Sequence, residues 1–144
     1  MTRLAVHGID YFGADDREVH RDGWTYTADT LATFEAGVEI ALILGADTAR
    51  KLPTWQRSDE VIARVELAVA PRPGTDPSEV DAAIPADLAG RTTWLDMAPI
   101  DLSGTMIRRR VAADLSVRFL VPDPVWAYFM DHQLYVNVSQ PPVP

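Results

Sequence analysis

Cysteine is absent from the 144 residues, which removes disulfides and thiolate metal sites from consideration. That absence is compatible with a reducing compartment. Lysine is nearly absent too: of the 13 basic residues only Lys51 is a lysine. Arginine's planar fork suits carboxylate and phosphate groups, although biased genomic composition produces the same excess. Positive charge is in deficit overall, and the formal net charge is −8. A net negative field repels polyphosphate backbones, so no nucleic-acid partner is expected. No apolar run approaches the ~18 residues of a membrane span, and Met1–His7 is too short for a secretory signal. The expectation is a cytoplasmic protein with no membrane partner. The spacing of His7, His20 and His132 suggests no metal site. The lack of any Gly-x-x-x-x-Gly-Lys stretch excludes a P-loop. There is no internal repeat and no low-complexity block.

What is present fits one globular domain. Apolar residues make up 47% of the chain, and a compact domain of this size buries roughly 68–70% of its unfolded surface. The expected organisation is a domain over residues 1–135 followed by a frayed, Pro-rich tail over 136–144. Arg3–His7 is a short apolar stub of helix-end character, and Tyr11–Val19 is a strand candidate with poor alternation. Thr27 opens a predicted helix through Gly37, with Thr or Asp available as its cap. Val38–Leu44 is apolar apart from Glu39, and is expected as a strand buried on both faces. A helix over Ser58–Val65 leads to a second strand, Glu66–Ala70, stopped by Pro71-Arg-Pro-Gly. Thr75–Arg91 is mostly small and polar, and is expected as a surface excursion. Thr92–Met97 is a third strand, and Ser103–Ala113 and Val125–His132, the latter entered after Pro122-Asp-Pro, are further helices. Trp24, Trp94 and Trp126 are expected as core or wall residues. Strands alternating with helices predict an α/β fold, a parallel sheet with helices on both faces. Ligands of such sheets sit beyond the carboxyl ends of the strands.

The candidate residues cluster after those strand ends. Gly45 lets a ligand approach the backbone, and Asp47 offers acceptors to a ribose hydroxyl; an ordinary strand-to-helix turn uses the same residues. Trp55, in a Pro-bounded polar stretch, either stacks on an aromatic ring or packs its loop onto the sheet. Arg72 sits on a stiff Pro-Arg-Pro-Gly turn, where little entropy is lost when its guanidinium grips an anion. Ser103, Gly104 and Thr105 stand where a helix begins. Free backbone N–H groups and the helix dipole favour a phosphate there. Arg108, one turn on, can fold back over the same anion. A plain Ser/Thr cap with a solvated Arg108-Arg-Arg face is the competing reading. No Ser/His/Asp order stands out for nucleophilic catalysis.

Several segments together resemble one family. Tyr26-Thr-Ala-Asp-Thr-Leu31, Leu44-Gly-Ala-Asp47, Leu52-Pro-Thr-Trp55, Arg72-Pro-Gly74, Ser103-Gly-Thr-Met-Ile-Arg108, Phe119-Leu-Val-Pro122 and His132-Gln-Leu-Tyr135 stand in the order and rough spacing of bacterial nicotinate-mononucleotide adenylyltransferases. The resemblance runs from Leu4 to Tyr135. It implies a Rossmann-like nucleotidyl transferase fold and the condensation of ATP with nicotinate mononucleotide, with Mg²⁺, to deamido-NAD and pyrophosphate. It assigns Thr27 and Trp55 to the pyridine carboxylate and ring, and Arg72 to the substrate side. Gly45 and Asp47 would line the cleft beside the ribose, and Ser103, Thr105 and Arg108 would hold ATP phosphates. Gly104 stands where the family usually has Ser or Ala, which keeps the backbone donors.

The family's opening strand and Gly-x-Phe-Asp-Pro-x-His-x-Gly-His loop, whose two His act on the ATP phosphates, has no counterpart here. By the resemblance an N-terminal βαβα unit is missing, as a misplaced start codon or an incomplete gene would produce. The expectation is therefore a chain without catalytic residues of its own. The expected sheet is incomplete, with Val38–Leu44 as an open edge and Tyr11–Val19 either sliding across to pair with it or hanging loose. Two other readings stand beside this one. One is a nucleotidyl transferase with a different acceptor, such as a phosphopantetheine-like substrate, against which Trp55 on a pyridine ring argues. The other is a non-catalytic nucleotide-binding remnant.

Overall fold

The computed structural model describes residues 1–136. The expected Pro-rich tail lies outside the described residues except for Val136. The described chain forms two compact units, one of residues 16–101 and one of residues 1–15 with the segment from Leu102 onward.

The unit of residues 16–101 is α/β. Its sheet has three parallel strands in the order β1 (Ala41–Gly45), β2 (Glu66–Ala70), β3 (Thr92–Trp94). Ala41 pairs with Glu66 and Gly45 with Ala70, while Leu67 pairs with Thr92 and Val69 with Trp94. Parallel strands need a crossover. Between β1 and β2 it consists of α3 (Ala46–Ala49), a 3₁₀ turn over Leu52–Thr54 and α4 (Ser58–Arg64). Between β2 and β3 it consists of α5 (Pro77–Ala83) and α6 (Ala86–Ala89). The core joins Leu67 and Val69 of β2 to Ala46 and Ala49 of α3, Leu52, Val61 and Ile62 of α4, Val80 of α5 and Leu88 of α6.

Four expectations need correction in this unit. Residues 75–91 are no surface excursion, because α5 and α6 each bury one large side chain completely, Val80 and Leu88. Asp76 caps α5 by accepting from the Ser78 N–H at 2.9 Å, and Pro77 occupies the first turn, where a missing N–H costs nothing. The helix opened by Thr27, here α2, ends at Leu31 rather than running to Gly37. Thr33 Oγ1 takes the Thr30 carbonyl at 2.7 Å, Thr33 and Phe34 N–H close shorter i→i−3 bonds, and Gly37 then turns the chain at φ +87°. Its N-cap is Tyr26, with no side-chain cap bond. Strand β1 is not buried on both faces, since Ile43 is 67% exposed. Trp24 is no core residue either, being 88% exposed.

Tyr11–Val19 forms no strand. Tyr11, Phe12 and Val19 are all exposed, so the segment has no apolar face to lay on a sheet. Residues 17–21 are instead tied by side chains to α2 and the turn that follows it. Arg17 donates to Thr33 Oγ1 and lies over the Phe34 ring at 4.2 Å. Thr30 donates to Glu18, and Arg21 donates to Thr30 Oγ1 at 3.1 Å and to the Asp29 carbonyl at 3.1 Å. Among the described residues β1 pairs with β2 alone, which leaves the open edge that was expected.

The other unit is helical, with α1 (Thr2–Ala5), α7 (Gly104–Ala112) and α8 (Asp123–Asp131). Ile107 of α7, Val117, and Val125 and Phe129 of α8 form its core, with Leu4 and Trp126 packed against it. α7 starts at Gly104 directly after Ser103, as predicted, while α8 starts at Asp123, two residues ahead of the expected Val125, because Pro124 is accommodated in its first turn.

Candidate functional site

The carboxyl end of β1 runs straight into α3. Gly45 is the last strand residue and also the N-cap of α3, at φ −65° and ψ 147°. Any residue adopts that conformation; what glycine supplies is room. A Cβ at Gly45 would stand 2.8 Å from Asp47 Oδ1 and 3.3 Å from Arg72 Nε. Asp47 and Arg72 thus crowd over the backbone at Gly45, and they pair with each other at 3.5 Å. Arg72 follows the end of β2 and also donates to the Ile100 carbonyl at 3.1 Å. Adjacent parallel strands therefore bring Gly45, Asp47 and Arg72 to one point at the carboxyl edge of the sheet, as their positions after Leu44 and Ala70 suggested.

Thr27 is the first residue of α2, and Trp55 follows the 3₁₀ turn after α3. Trp55 is half-buried against the core, so it packs its loop while keeping part of its ring open. Between the segments that carry these residues stands a cluster that no sequence motif marks. Arg57 grips Glu60 through two bonds, Nε to Oε1 and Nη2 to Oε2, each 2.7 Å, and donates to Asp29 of α2 through Nη1. Hydrogen bonds to Glu60 first, and to Asp29 second, hold the Arg57 guanidinium above its usual range. The hydrogen bonds from Arg57 hold the Glu60 carboxyl below the usual carboxylate range. In the sequence Asp29 stands out only as a possible helix cap; its position two residues after Thr27, matched by Arg57 two residues after Trp55, is the available signal.

In the helical unit, Ser103 is the N-cap of α7, its Oγ accepting from the Met106 N–H at 3.1 Å. Arg108 folds back along the first turn, as expected, and its Nη2 donates to Thr105 Oγ1 at 3.2 Å. A Cβ on Gly104 would meet Arg108 Nη1 at 3.0 Å, so glycine lets the guanidinium lie close over the helix start. Ser103, Thr105 and Arg108 are exposed and stand together at a helix N-terminus, where polarised N–H groups favour an anion. Arg110 is not a solvated neighbour: it donates twice to the Ser116 carbonyl, at 3.1 and 2.9 Å.

Residues 1–110 match the model of the cytidylyltransferase-like family. A protein of Bordetella parapertussis named probable nicotinate-nucleotide adenylyltransferase is 38% identical over 145 residues, spanning 94% of this chain and 70% of that protein. The chain belongs to the nicotinate-nucleotide adenylyltransferase family of cytidylyltransferase-like proteins. Proteins of the same name from Pseudomonas syringae pv. tomato and Dehalococcoides mccartyi are 38% and 36% identical, each over 94% of this chain and over 68% and 69% of their own lengths. The parallel sheet and its crossovers accord with the Rossmann-like fold expected of an adenylyltransferase of this family. No helix among the described residues is long and apolar enough to cross a membrane.

Proposed function

We propose that this adenylyltransferase chain serves the transfer of the adenylyl group of ATP to nicotinate mononucleotide, a step of NAD biosynthesis in the cytoplasm. The mononucleotide phosphate oxygen attacks the α-phosphorus of ATP in line. The bond to the oxygen bridging the α- and β-phosphorus breaks, and pyrophosphate leaves with deamido-NAD as the other product. Such a reaction needs positioning and stabilisation of charge on the phosphates rather than a covalent nucleophile. The observation that carries this reading is the match along 94% of the chain to relatives named for that activity.

In this proposal Trp55 stacks on the pyridine ring and Thr27 bonds its carboxylate. Gly45 lets Asp47 and Arg72 lie close over the strand end, where Asp47 takes the ribose hydroxyls and Arg72 lies beside it on the substrate side. Ser103, Thr105 and Arg108 hold ATP phosphates at the start of α7. The described residues contain no group of three or more His, Asp or Glu side chains placed to hold a metal ion. Mg²⁺ keeps waters and substrate phosphate oxygens as ligands, so the ion would come with ATP and not from a protein-built cage. No step assigned to these residues depends on it.

Binding and turnover test the reading separately. Trp55→Ala should weaken nicotinate mononucleotide binding by about 1 kcal/mol, the scale of an aromatic stacking pair, and leave ATP binding unchanged in titration calorimetry. Equal losses for both ligands would make Trp55 a packing residue. Pyrophosphate release from ATP and nicotinate mononucleotide measures turnover. Binding of both ligands without release would remove the transfer reaction and leave nucleotide binding alone.

A further inference from the structure

Trp55 and Thr27 come from different parts of the chain, and a pyridine ring held by both requires the gap between their segments to be fixed. Trp55 stands in extended backbone at φ −71° and ψ 152°. Two residues later the chain turns through Arg57, which has φ +57° and ψ +40°. This is the left-handed region, unfavourable for a residue with a Cβ, and it persists only where surrounding contacts over-determine it. Here it closes the turn that brings the Ser58 N–H to the Trp55 carbonyl at 3.2 Å. The Arg57 carbonyl then accepts from the Glu60 N–H at 3.1 Å as α4 begins. The guanidinium is locked by its two bonds to Glu60, so its remaining nitrogen is presented in a fixed direction, and there it meets Asp29. Asp29 belongs to the first turn of α2, its N–H bonded to the Tyr26 carbonyl at 3.0 Å, and its own carbonyl is held by Arg21.

We propose that Arg57 is a positioning residue for the pyridine subsite: locked on Glu60 and reaching Asp29, it sets the distance and angle between the Trp55 loop and the start of α2 at Thr27. The inference rests on the proposed roles of Trp55 and Thr27, but the clamp itself can be observed without a ligand. The Arg57 and Asp29 side chains are 43% and 37% exposed. A pair so wet contributes little to overall stability. Its effect belongs in the fraction of molecules whose two segments are correctly spaced, which scales apparent affinity directly.

The test uses the 144-residue chain labelled with 5-fluorotryptophan, its Trp55 resonance assigned by loss in Trp55→Phe. Arg57→Gly removes the guanidinium and keeps the positive φ at no steric cost, so it separates the clamp from the turn. Asp29→Asn removes the charge and keeps the shape. Both variants should shift or broaden the Trp55 fluorine resonance and leave the melting temperature little changed. Both should weaken nicotinate mononucleotide binding on the order of three- to tenfold, with ATP binding unaltered. An unmoved Trp55 resonance in both variants overturns the clamp, as does equal weakening of ATP and mononucleotide. If the resonance responds but the wild-type chain binds no mononucleotide, the clamp stands and the assignment of the subsite falls.

Discussion

Strands β1 and β2 are both short and mostly apolar, Ala-Leu-Ile-Leu-Gly over 41–45 and Glu-Leu-Ala-Val-Ala over 66–70, yet their surroundings differ. In β2, Leu67 and Val69 are 1% and 0% exposed, with a strand on each side. In β1, Ile43 stands two-thirds in solvent and one edge of the strand is open. Apolar composition says that a segment can be buried. Its neighbours decide whether it is.

The largest effect should come from testing that difference directly. Leu67→Ala should cost about 2–5 kcal/mol in urea unfolding, the range of a core truncation that leaves a cavity. Ile43→Ala should stay within about 0.5 kcal/mol, as surface changes do. Ile43 pairs with Ala68 and so lies on the opposite sheet face from Leu67; equal losses would mean that this face is covered in solution. A second change sharpens the edge itself. Ile43→Lys puts on β1 the charge that blunts exposed strands, so it should leave stability alone and lower any concentration-dependent association seen by sedimentation velocity.

Smaller effects sit at the end of β1 and in its connector to β2. Gly45→Ala meets the carboxylate end of Asp47 at 2.8 Å and the Nε and Cγ of Arg72 at 3.3 and 3.4 Å, so both side chains must shift, and it also restricts the unfolded chain. Stability should shift by no more than about 0.5 kcal/mol, while the Asp47–Arg72 pair opens, visible as an altered Arg72 guanidinium signal by NMR. In α4, the Glu60 carboxyl is held below its ordinary range by Arg57. A depressed carboxyl pKa adds stability that is present above the unfolded-state value and is lost as pH falls through the folded one. Acid melting should therefore show a slight loss below the ordinary carboxylate range, near pH 4, that Glu60→Gln removes. An unchanged acid limb in that variant would detach Glu60 from the clamp.

Much of this architecture was legible where one strong local signal dominated. Ser103 before Gly-Thr announced α7, Pro122-Asp-Pro announced α8, and the apolar runs announced β1 and β2. The strand-end rule for parallel sheets led to Gly45, Asp47 and Arg72, which do meet. Residues 75–91 misled because each of two short helices contributes one large core side chain, Val80 or Leu88, amid small and acidic neighbours, so no periodic stripe appears. The end of α2 at Leu31 depends on a Thr33 hydroxyl competing for a backbone carbonyl, a contest no propensity describes. Arg57 was invisible for a different reason. Its partners Glu60 and Asp29 are three residues and 28 residues away, and the longer link exists only once α2 and α4 have packed.

The single pairing of β1 also imposes an odd–even rhythm on its exchange with solvent. Glu66 N–H bonds to the Ile40 carbonyl, and the register Ala41–Glu66 then turns the Leu42 and Leu44 amides toward β2 and the Ala41 and Ile43 amides away from it. Deuterium should therefore enter at residues 41 and 43 almost freely and at 42 and 44 slowly, while β2, flanked on both sides, exchanges evenly and late. A partner laid against the open edge would be read as the disappearance of that alternation, one amide at a time.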